Sequence, residues 1–299
     1  MQPSMPTRFI SWMLRTTGIY RRLYSGGELF EHNLAKNRAA RLAEPGPKTY
    51  AKIDASRRDV DNRPVWTFKP KDRAPTAYVL YWHGGGYVYP ATEAHLGFLV
   101  EMTHRYGWHI TAPFYPLAPE QDAAHVTGWA LDLYRGYAAE RGGGPFLMGG
   151  DSAGGGLAAA TAMAARDANL PLPSALLLIC PWLNADPSNP DQVKIEKRDA
   201  ILTLGGIREA GLLYANGLPI TNPLVSPIHG DWSNLPPILA FGGGDDILVT
   251  DARALKAKLP SVDYIERAGM IHDWPIFVFK ESREAQAIMA NFAAQTAKT

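Results

Sequence analysis

Residues 149–156 read GGDSAGGG, a single serine, Ser152, among five glycines directly after the apolar run PFLM. Glycine at that density marks either a slack surface loop or backbone forced where no side chain fits. The flanking sequence favours the second. PFLMGG is an unbroken apolar run of strand length, and AGGGLAAATAMAARDANL after it is a helical pattern rich in small residues. A serine at the apex of such a strand-to-helix turn must take strained backbone angles. Gly150 and Gly154, two positions either side, must lack side chains so that the flanking chain can pass closely. Ser152 Oγ would then stand exposed at the carboxyl end of a sheet, above the N-terminus of the next helix. The pentapeptide alone leaves the slack loop open.

The same strand-then-helix rhythm runs along most of the chain. TAYVLYWH precedes a helical pattern over AHLGFLVEMTHRYG, and HITAPFY precedes one in which Val126, Trp129, Ala130, Leu133, Tyr134 and Tyr137 recur at helical spacing. SALLLIC follows, then PPILAFGG before DARALKAKL, and VDYIERAG before a last helix near EAQAIMANFAAQ. Short, non-alternating apolar strands separated by helices imply a mostly parallel sheet covered on both faces, an α/β doubly wound fold. Ahead of it, a helical segment runs to about Ala43, EPGPK breaks the pattern, and TYAKIDAS and RPVWTFKP read as two strands. This divides the chain into residues 1–45, N-terminal helices, and 46–299, the α/β domain. Residues 183–225 are too long for a plain crossover and predict a cap insertion.

Composition excludes several classes. The chain has 299 residues, 46% of them hydrophobic, enough for a large core. Thirty Lys+Arg face 29 Asp+Glu with no basic run or acidic tail, so neither nucleic acid nor an anionic membrane is implied as a partner. The one cysteine, Cys180, excludes an internal disulfide and reads as a buried thiol. No stretch approaches the roughly 18–20 apolar residues of a membrane span. The N-terminal TRFISWMLRTTGIYRRLY is amphipathic, with no apolar core of signal-peptide length and no small-residue cleavage site. It reads as a packed or capping helix in preference to a membrane-surface one, and the default location is cytoplasmic. Stable membrane insertion is not expected, and a homodimer is left open.

Ser152 has companions. HGGGY at 83–87 ends the strand TAYVLYW and offers free backbone N–H groups at Gly84 and Gly85. With the amide of Ala153 these predict a three-donor oxyanion hole. His83 reads as structural, holding the loop through its ring. A nucleophilic serine needs a base, and the base an orienting acid, in the chain order Ser, Asp, His for this type of turn. FGGGDDILVTD ends the strand PPILA and supplies Asp245 and Asp246; AGMIHDWP follows the next strand and supplies His272. His32, His95, His104, His109, His125 and His229 read as surface or satisfied groups.

Together HGGGY, YPLAPE (115–120), GDSAGG, SPI (226–228), GGGDDIL and GMIHDWP resemble the hormone-sensitive-lipase-like esterases of the α/β-hydrolase superfamily, over about residues 76 to 280. The resemblance implies Ser152 as nucleophile, His272 as general base and acid, and an aspartate after the seventh strand as orienter. It also implies a hole formed by Gly84, Gly85 and Ala153, a cap of N-terminal helices plus an inserted segment, and Asp151 as a support of the HGGGY loop or of a substrate-side water, not a reacting group. Many relatives carry D-x-L-x-D around the orienting acid, where this chain has Asp245-Asp246-Ile-Leu-Val-Thr-Asp251. One register selects Asp245, the other Asp246, and Asp245 is favoured. Pro116 stands where many relatives have an arginine.

The expected reaction is two-step acyl transfer from a small-molecule ester of short to medium apolar acyl chain, with no metal or organic cofactor. Tyr87, Trp182, Leu202, Leu204, Tyr214 and Trp274 are candidate pocket residues, with ordinary core the competing reading for about half. Two alternatives stand beside it. The same triad could act on an amide, a lactone or an acetylated larger alcohol, or the pocket could serve a non-catalytic small-molecule binder.

Overall fold

A computed structural model describes residues 3–140 and 145–296. Its strands are β1 (Asp54–Val60), β2 (Arg63–Lys69), β3 (Ala77–Trp82), β4 (Trp108–Pro113), β5 (Phe146–Asp151), β6 (Ala175–Ile179), β7 (Ile238–Gly243) and β8 (Asp263–Arg267). Helices α1 (Met5–Thr17), α2 (Ile19–Leu23), α3 (Glu28–Ala39) and α4 (Pro47–Lys52) precede the sheet. Between and after the strands come α5 (Glu93–Tyr106), α6 (Ala123–Glu140), α7 (Ala153–Asp167), α8 (Pro190–Glu196), α9 (Leu204–Ala215), α10 (Val249–Lys258) and α11 (Lys280–Thr296). No helix among the described residues is long and apolar enough to cross a membrane.

One eight-stranded sheet runs in the order β1-β2-β4-β3-β5-β6-β7-β8. Strand β2 is antiparallel to both its neighbours, β1 and β4, and every other pairing is parallel. The central strands β5, β6 and β7 are buried along their whole length, as uninterrupted apolar runs covered on both faces must be. The expected α/β architecture is therefore present, and its parallel strands all deliver their carboxyl ends to one rim.

The stretch TYAKIDAS departs from the strand reading. Gly46 precedes Pro47 at the first helical position, and proline's fixed φ starts a helical turn there, so α4 takes residues 47–52 and β1 begins at Asp54. The strand that remains is an exposed edge carrying Asp54, Arg57, Arg58 and Asp59, charges that discourage pairing with another chain.

The N-terminal helices and the segment after β6 are bonded to each other. Arg21 Nη1 donates to the carbonyls of Glu196 and Asp199 at 2.6 and 2.8 Å, Thr203 Oγ1 donates to Tyr24 O at 2.6 Å, and Gly27 N donates to Glu209 Oε1 at 2.6 Å. Helix α1 is tied instead to the start of α11, where Ser4 N and Thr7 Oγ1 donate to the Glu281 carboxylate.

Candidate active site

Ser152 sits between β5 and α7 with φ 52° and ψ −122°, backbone that an L-residue holds only when its surroundings enforce it. The enforcement is visible on both sides. Ser152 N donates to Ile179 O at 2.9 Å, and Ser152 O accepts from Trp182 N at 2.9 Å. A Cβ on Gly154 or Gly150 would press into the Trp82 carbonyl oxygen. The glycines of GGDSAGGG are thus a close-approach requirement of a tight turn, and a slack loop is ruled out.

The hydroxyl of Ser152 faces a cavity of about 320 Å³ that His272 and Asp273 also line. His272 is buried on the loop after β8, and its Nδ1 lies 2.9 Å from Asp246 Oδ2. The orienting contact therefore belongs to Asp246, which corrects the expectation for Asp245. Asp246 is fully buried and its Oδ1 also accepts from Leu248 N at 2.8 Å, so it caps its own turn while facing the imidazole. Asp245 points to the other side of the loop, into Arg15 Nη1 at 3.3 Å and Arg198 Nε at 3.0 Å.

The second ring nitrogen is also engaged. His272 Nε2 lies 3.0 Å from Oδ2 of Asp273, a buried residue in left-handed backbone, φ 54°, whose Oδ1 has no partner among the described residues. Ser152 Oγ has no hydrogen-bond partner among the described residues either, so the hydroxyl and the base share a cavity without being bonded in this state. Burial alone would lower the His272 pKa, but the facing carboxylates of Asp246 and Asp273 outweigh it and hold the ring well above its ordinary 6.5. Burial pushes the Asp273 carboxyl up to about 7, against the pull of the His272 ring. Asp273 is a residue that sequence reasoning missed. Its signal was its place next to the histidine in GMIHDWP, which gave no hint of which ring nitrogen it would face.

The HGGGY loop is held by Asp151. Its carboxylate accepts from Tyr81 Oη at 2.6 Å, from Gly84 N at 3.0 Å and from His95 Nε2 at 3.0 Å. The Gly84 amide is thereby spent on the loop's own support, which corrects its expected place in the oxyanion hole. Gly85, with φ 117°, and Gly86, with φ 63°, line the cavity instead, and their amides donate to no backbone carbonyl among the described residues. The hole donors consistent with this geometry are Gly85, Gly86 and Ala153. His83 packs flat on Tyr115 with ring centroids 4.4 Å apart, and its Nδ1 donates to Gly84 O at 2.6 Å. Burial lowers its pKa to about 4, which keeps the ring neutral and structural. Beside the Asp151 carboxylate, His95 is a satisfied core histidine, as expected.

Of the aromatic and apolar candidates, the cavity takes Trp182 and Leu202. Tyr87, Leu204, Tyr214 and Trp274 do not line it. Tyr87 and Tyr214 are buried and stack on each other with ring centroids 3.7 Å apart, and Trp274 Nε1 donates to Gly242 O in the core. The remaining wall comes from Tyr20, Leu23, Tyr24 and Phe30 of the N-terminal segment and from Ile201, Ile207 and Ala210 after β6. Asp199 fixes that second wall, accepting from Ile201 N and Leu202 N and, across the site, from Ile247 N next to Asp246.

Among the described residues one group of three side chains could approach a metal ion, Cys180, His272 and Asp273, with ligand atoms within 4.8 Å of one another. Burial pushes the Cys180 thiol well above its ordinary range, which opposes the thiolate a metal would need, and such an ion would also occupy the imidazole.

This geometry defines an α/β hydrolase, and comparison with known proteins agrees. A family described as alpha/beta hydrolase fold matches residues 79–276. An acetyl-hydrolase of Streptomyces hygroscopicus is 33% identical over 223 residues, covering 72% of this chain and 74% of the relative. A carboxylesterase of Mycobacterium tuberculosis, NlhH, is 31% identical over 253 residues, covering 79% and 77%. The crystal structure of an esterase from the bacterial hormone-sensitive lipase family superimposes with a TM-score of 0.81 at 27% identity, covering 99% of this chain and all of the other. The chain belongs to the α/β hydrolase fold family, within its hormone-sensitive-lipase-type esterases, and is a carboxylic ester hydrolase.

Proposed function

We propose that the protein hydrolyses small carboxylic esters by acyl transfer through Ser152, with His272 as base and acid and Asp246 as the acid that orients it. Ser152 Oγ attacks the ester carbonyl carbon as its proton passes to His272 Nε2. The oxyanion rests on the amides of Gly85, Gly86 and Ala153. Nε2 returns the proton to the leaving alcohol as the C–O bond breaks, and water repeats the sequence on the acyl-enzyme. Asp246 stays ionised throughout and holds Nδ1–H toward itself. For Nε2 to take the serine proton it must first part from Asp273.

The observation that carries this reading is the pair of facts at one cavity: a serine in enforced left-handed backbone, and an imidazole whose Nδ1 is 2.9 Å from a buried carboxylate. A largely apolar wall and a volume of about 320 Å³ support acyl groups of short to medium length. The helices of residues 1–45 and the segment 183–225 serve as a two-part cap, a role supported by the walls each lends to the cavity. A cytoplasmic place of action belongs to the same proposal.

Fluorophosphonate labelling with peptide mapping tests it, together with turnover on matched esters and amides. The expected result is an adduct on Ser152, abolished in Ser152→Ala, with esters turned over well above amides. An unlabelled Ser152 in a folded, ligand-binding protein would overturn the hydrolytic reading.

A further inference from the structure

The N-terminal helix carries large apolar residues on its outer face as well as its inner one. Along α1 the residues buried against the body are Thr7 and Ser11, 1% and 3% exposed, whereas Met5, Phe9 and Trp12 are 74%, 60% and 55% exposed. Thr7 Oγ1 and the Ser4 amide bond the Glu281 carboxylate, and Ile10 and Leu14 pack partly buried on the core, so this face is fixed to the body and the face carrying Met5, Phe9 and Trp12 turns outward. With Met13, these residues stand at i, i+4, i+7 and i+8 and so form a single stripe. Phe9 and Trp12 pack together along it with ring centroids 5.8 Å apart. A stripe of this kind normally faces a core, and here no described residue covers it.

Charge selects the occupant. Residues 1–27 contain four arginines, Arg8, Arg15, Arg21 and Arg22, and no acidic residue. Arg15 and Arg21 are engaged with the body, but Arg8 and Arg22 are exposed and without a carboxylate partner among the described residues. Arg8 lies against Met5 at the edge of the stripe. A helix with large apolar residues on one face and arginines beside them matches the headgroup boundary of an anionic bilayer, where rings and thioethers sink and guanidiniums meet phosphate. A second copy of the chain fits less well, because two-fold pairing of the stripe would bring these arginines toward their own equivalents. The stripe also neighbours the site along the chain: Tyr20 and Leu23, on α2 directly after the Gly18 break, line the cavity.

We infer that α1 docks the protein on anionic lipid surfaces, with Met5, Phe9, Trp12 and Met13 in the headgroup layer and the cavity beside it. This deepens the proposed ester hydrolysis by naming where its substrate comes from: an apolar ester dissolved in the bilayer, reaching Ser152 past Tyr20 and Leu23.

Co-sedimentation with phosphatidylglycerol vesicles tests it, with phosphatidylcholine vesicles beside them and hydrolysis of a water-soluble acetyl ester as the measure of the folded enzyme. Wild type is expected to pellet with phosphatidylglycerol and to be released by salt. The double variants Phe9→Gln/Trp12→Gln and Arg8→Gln/Arg22→Gln are expected to bind about tenfold more weakly while turning over the soluble ester as before. Three results overturn the inference: no pelleting of an active wild type, equal pelleting on neutral vesicles, or a wild-type dimer that Phe9→Gln/Trp12→Gln converts to monomer. Vesicle binding by a protein that hydrolyses nothing would support docking and strike the hydrolase reading instead.

Discussion

His272 lies between two carboxylates, Asp246 Oδ2 at 2.9 Å from Nδ1 and Asp273 Oδ2 at 3.0 Å from Nε2. The first contact orients the base, and the second competes with the serine for it. The groups around the ring are Asp246 after β7, Asp273 beside it, Cys180 after β6, and the His95–Asp151 pair of α5 and β5 acting through space. Carboxylates favour the imidazolium, and an imidazolium cannot accept the proton of Ser152. The acid limb of kcat/KM should therefore fall above the ordinary histidine value, with activity still rising beyond pH 7. Asp273→Asn removes one negative charge, lowers the ring's pKa and should move that limb to lower pH by about one unit or more. The pH dependence of kcat/KM on a soluble ester decides it, and a limb unmoved in Asp273→Asn would show that Asp273 plays no part in setting the base.

The two adjacent aspartates separate cleanly by mutation. Asp246→Asn replaces the acceptor at Nδ1 with a group that no longer stabilises the imidazolium, and kcat should drop by about 10³–10⁴-fold with the fold intact. Asp245→Asn loses ion pairs to Arg15, 35% exposed, and Arg198, 50% exposed. Exposed pairs of this kind contribute about 1 kcal/mol or less, so kcat should stay within about threefold of wild type. Steady-state kinetics of the two variants at one pH make the comparison, and the reverse ranking would restore Asp245 to the site.

These contrasts show how far residue order reaches. The strand-to-helix turn at Ser152 was legible because its glycines meet a requirement that depends only on local geometry, and His272 because few histidines follow a strand at the sheet's carboxyl rim. Asp245 against Asp246 was not legible. Neighbouring residues in a turn point in different directions, and only the tertiary partners, Arg15 and Arg198 on one side and His272 on the other, distinguish them. Gly84 failed for a similar reason. The run of three glycines promises free amides, but which amide is free depends on where the Asp151 carboxylate sits. Two of the pocket candidates failed on burial: Tyr87 and Tyr214 are aromatic and near the motifs, yet their rings stack on each other within the core.

Asp151 should prove a stability residue with a catalytic consequence. It is fully buried and accepts three hydrogen bonds, and the pull of His95 and Tyr81 overcomes burial to keep its carboxyl below the usual range. Asp151→Ala strands the Tyr81 hydroxyl, the Gly84 amide and the His95 ring together, which should cost about 3–5 kcal/mol. Thermal unfolding should show a lower Tm, and kcat measured well below that Tm should still fall, because the loop carrying Gly85 and Gly86 loses its anchor. A large loss of Tm with kcat unchanged would separate the loop from the oxyanion.

Leu202 and Leu204 offer a test of the acyl pocket two residues apart. Leu202 lines the cavity, its amide pinned to Asp199 Oδ1 at 2.9 Å, whereas Leu204 lies outside it at the start of α9. Leu202→Ala opens the wall by about three carbon atoms' worth of space, so the preferred acyl chain should lengthen by about two carbons, at a cost of about 2–3 kcal/mol in stability. Short acyl chains should lose affinity in the widened site, since they leave part of its apolar wall uncovered, and longer ones should gain it. Leu204→Ala changes no atom that faces the cavity and should keep the wild-type profile. Hydrolysis rates of p-nitrophenyl esters from acetate upward give both profiles; a shift in Leu204→Ala with none in Leu202→Ala would place the acyl group elsewhere.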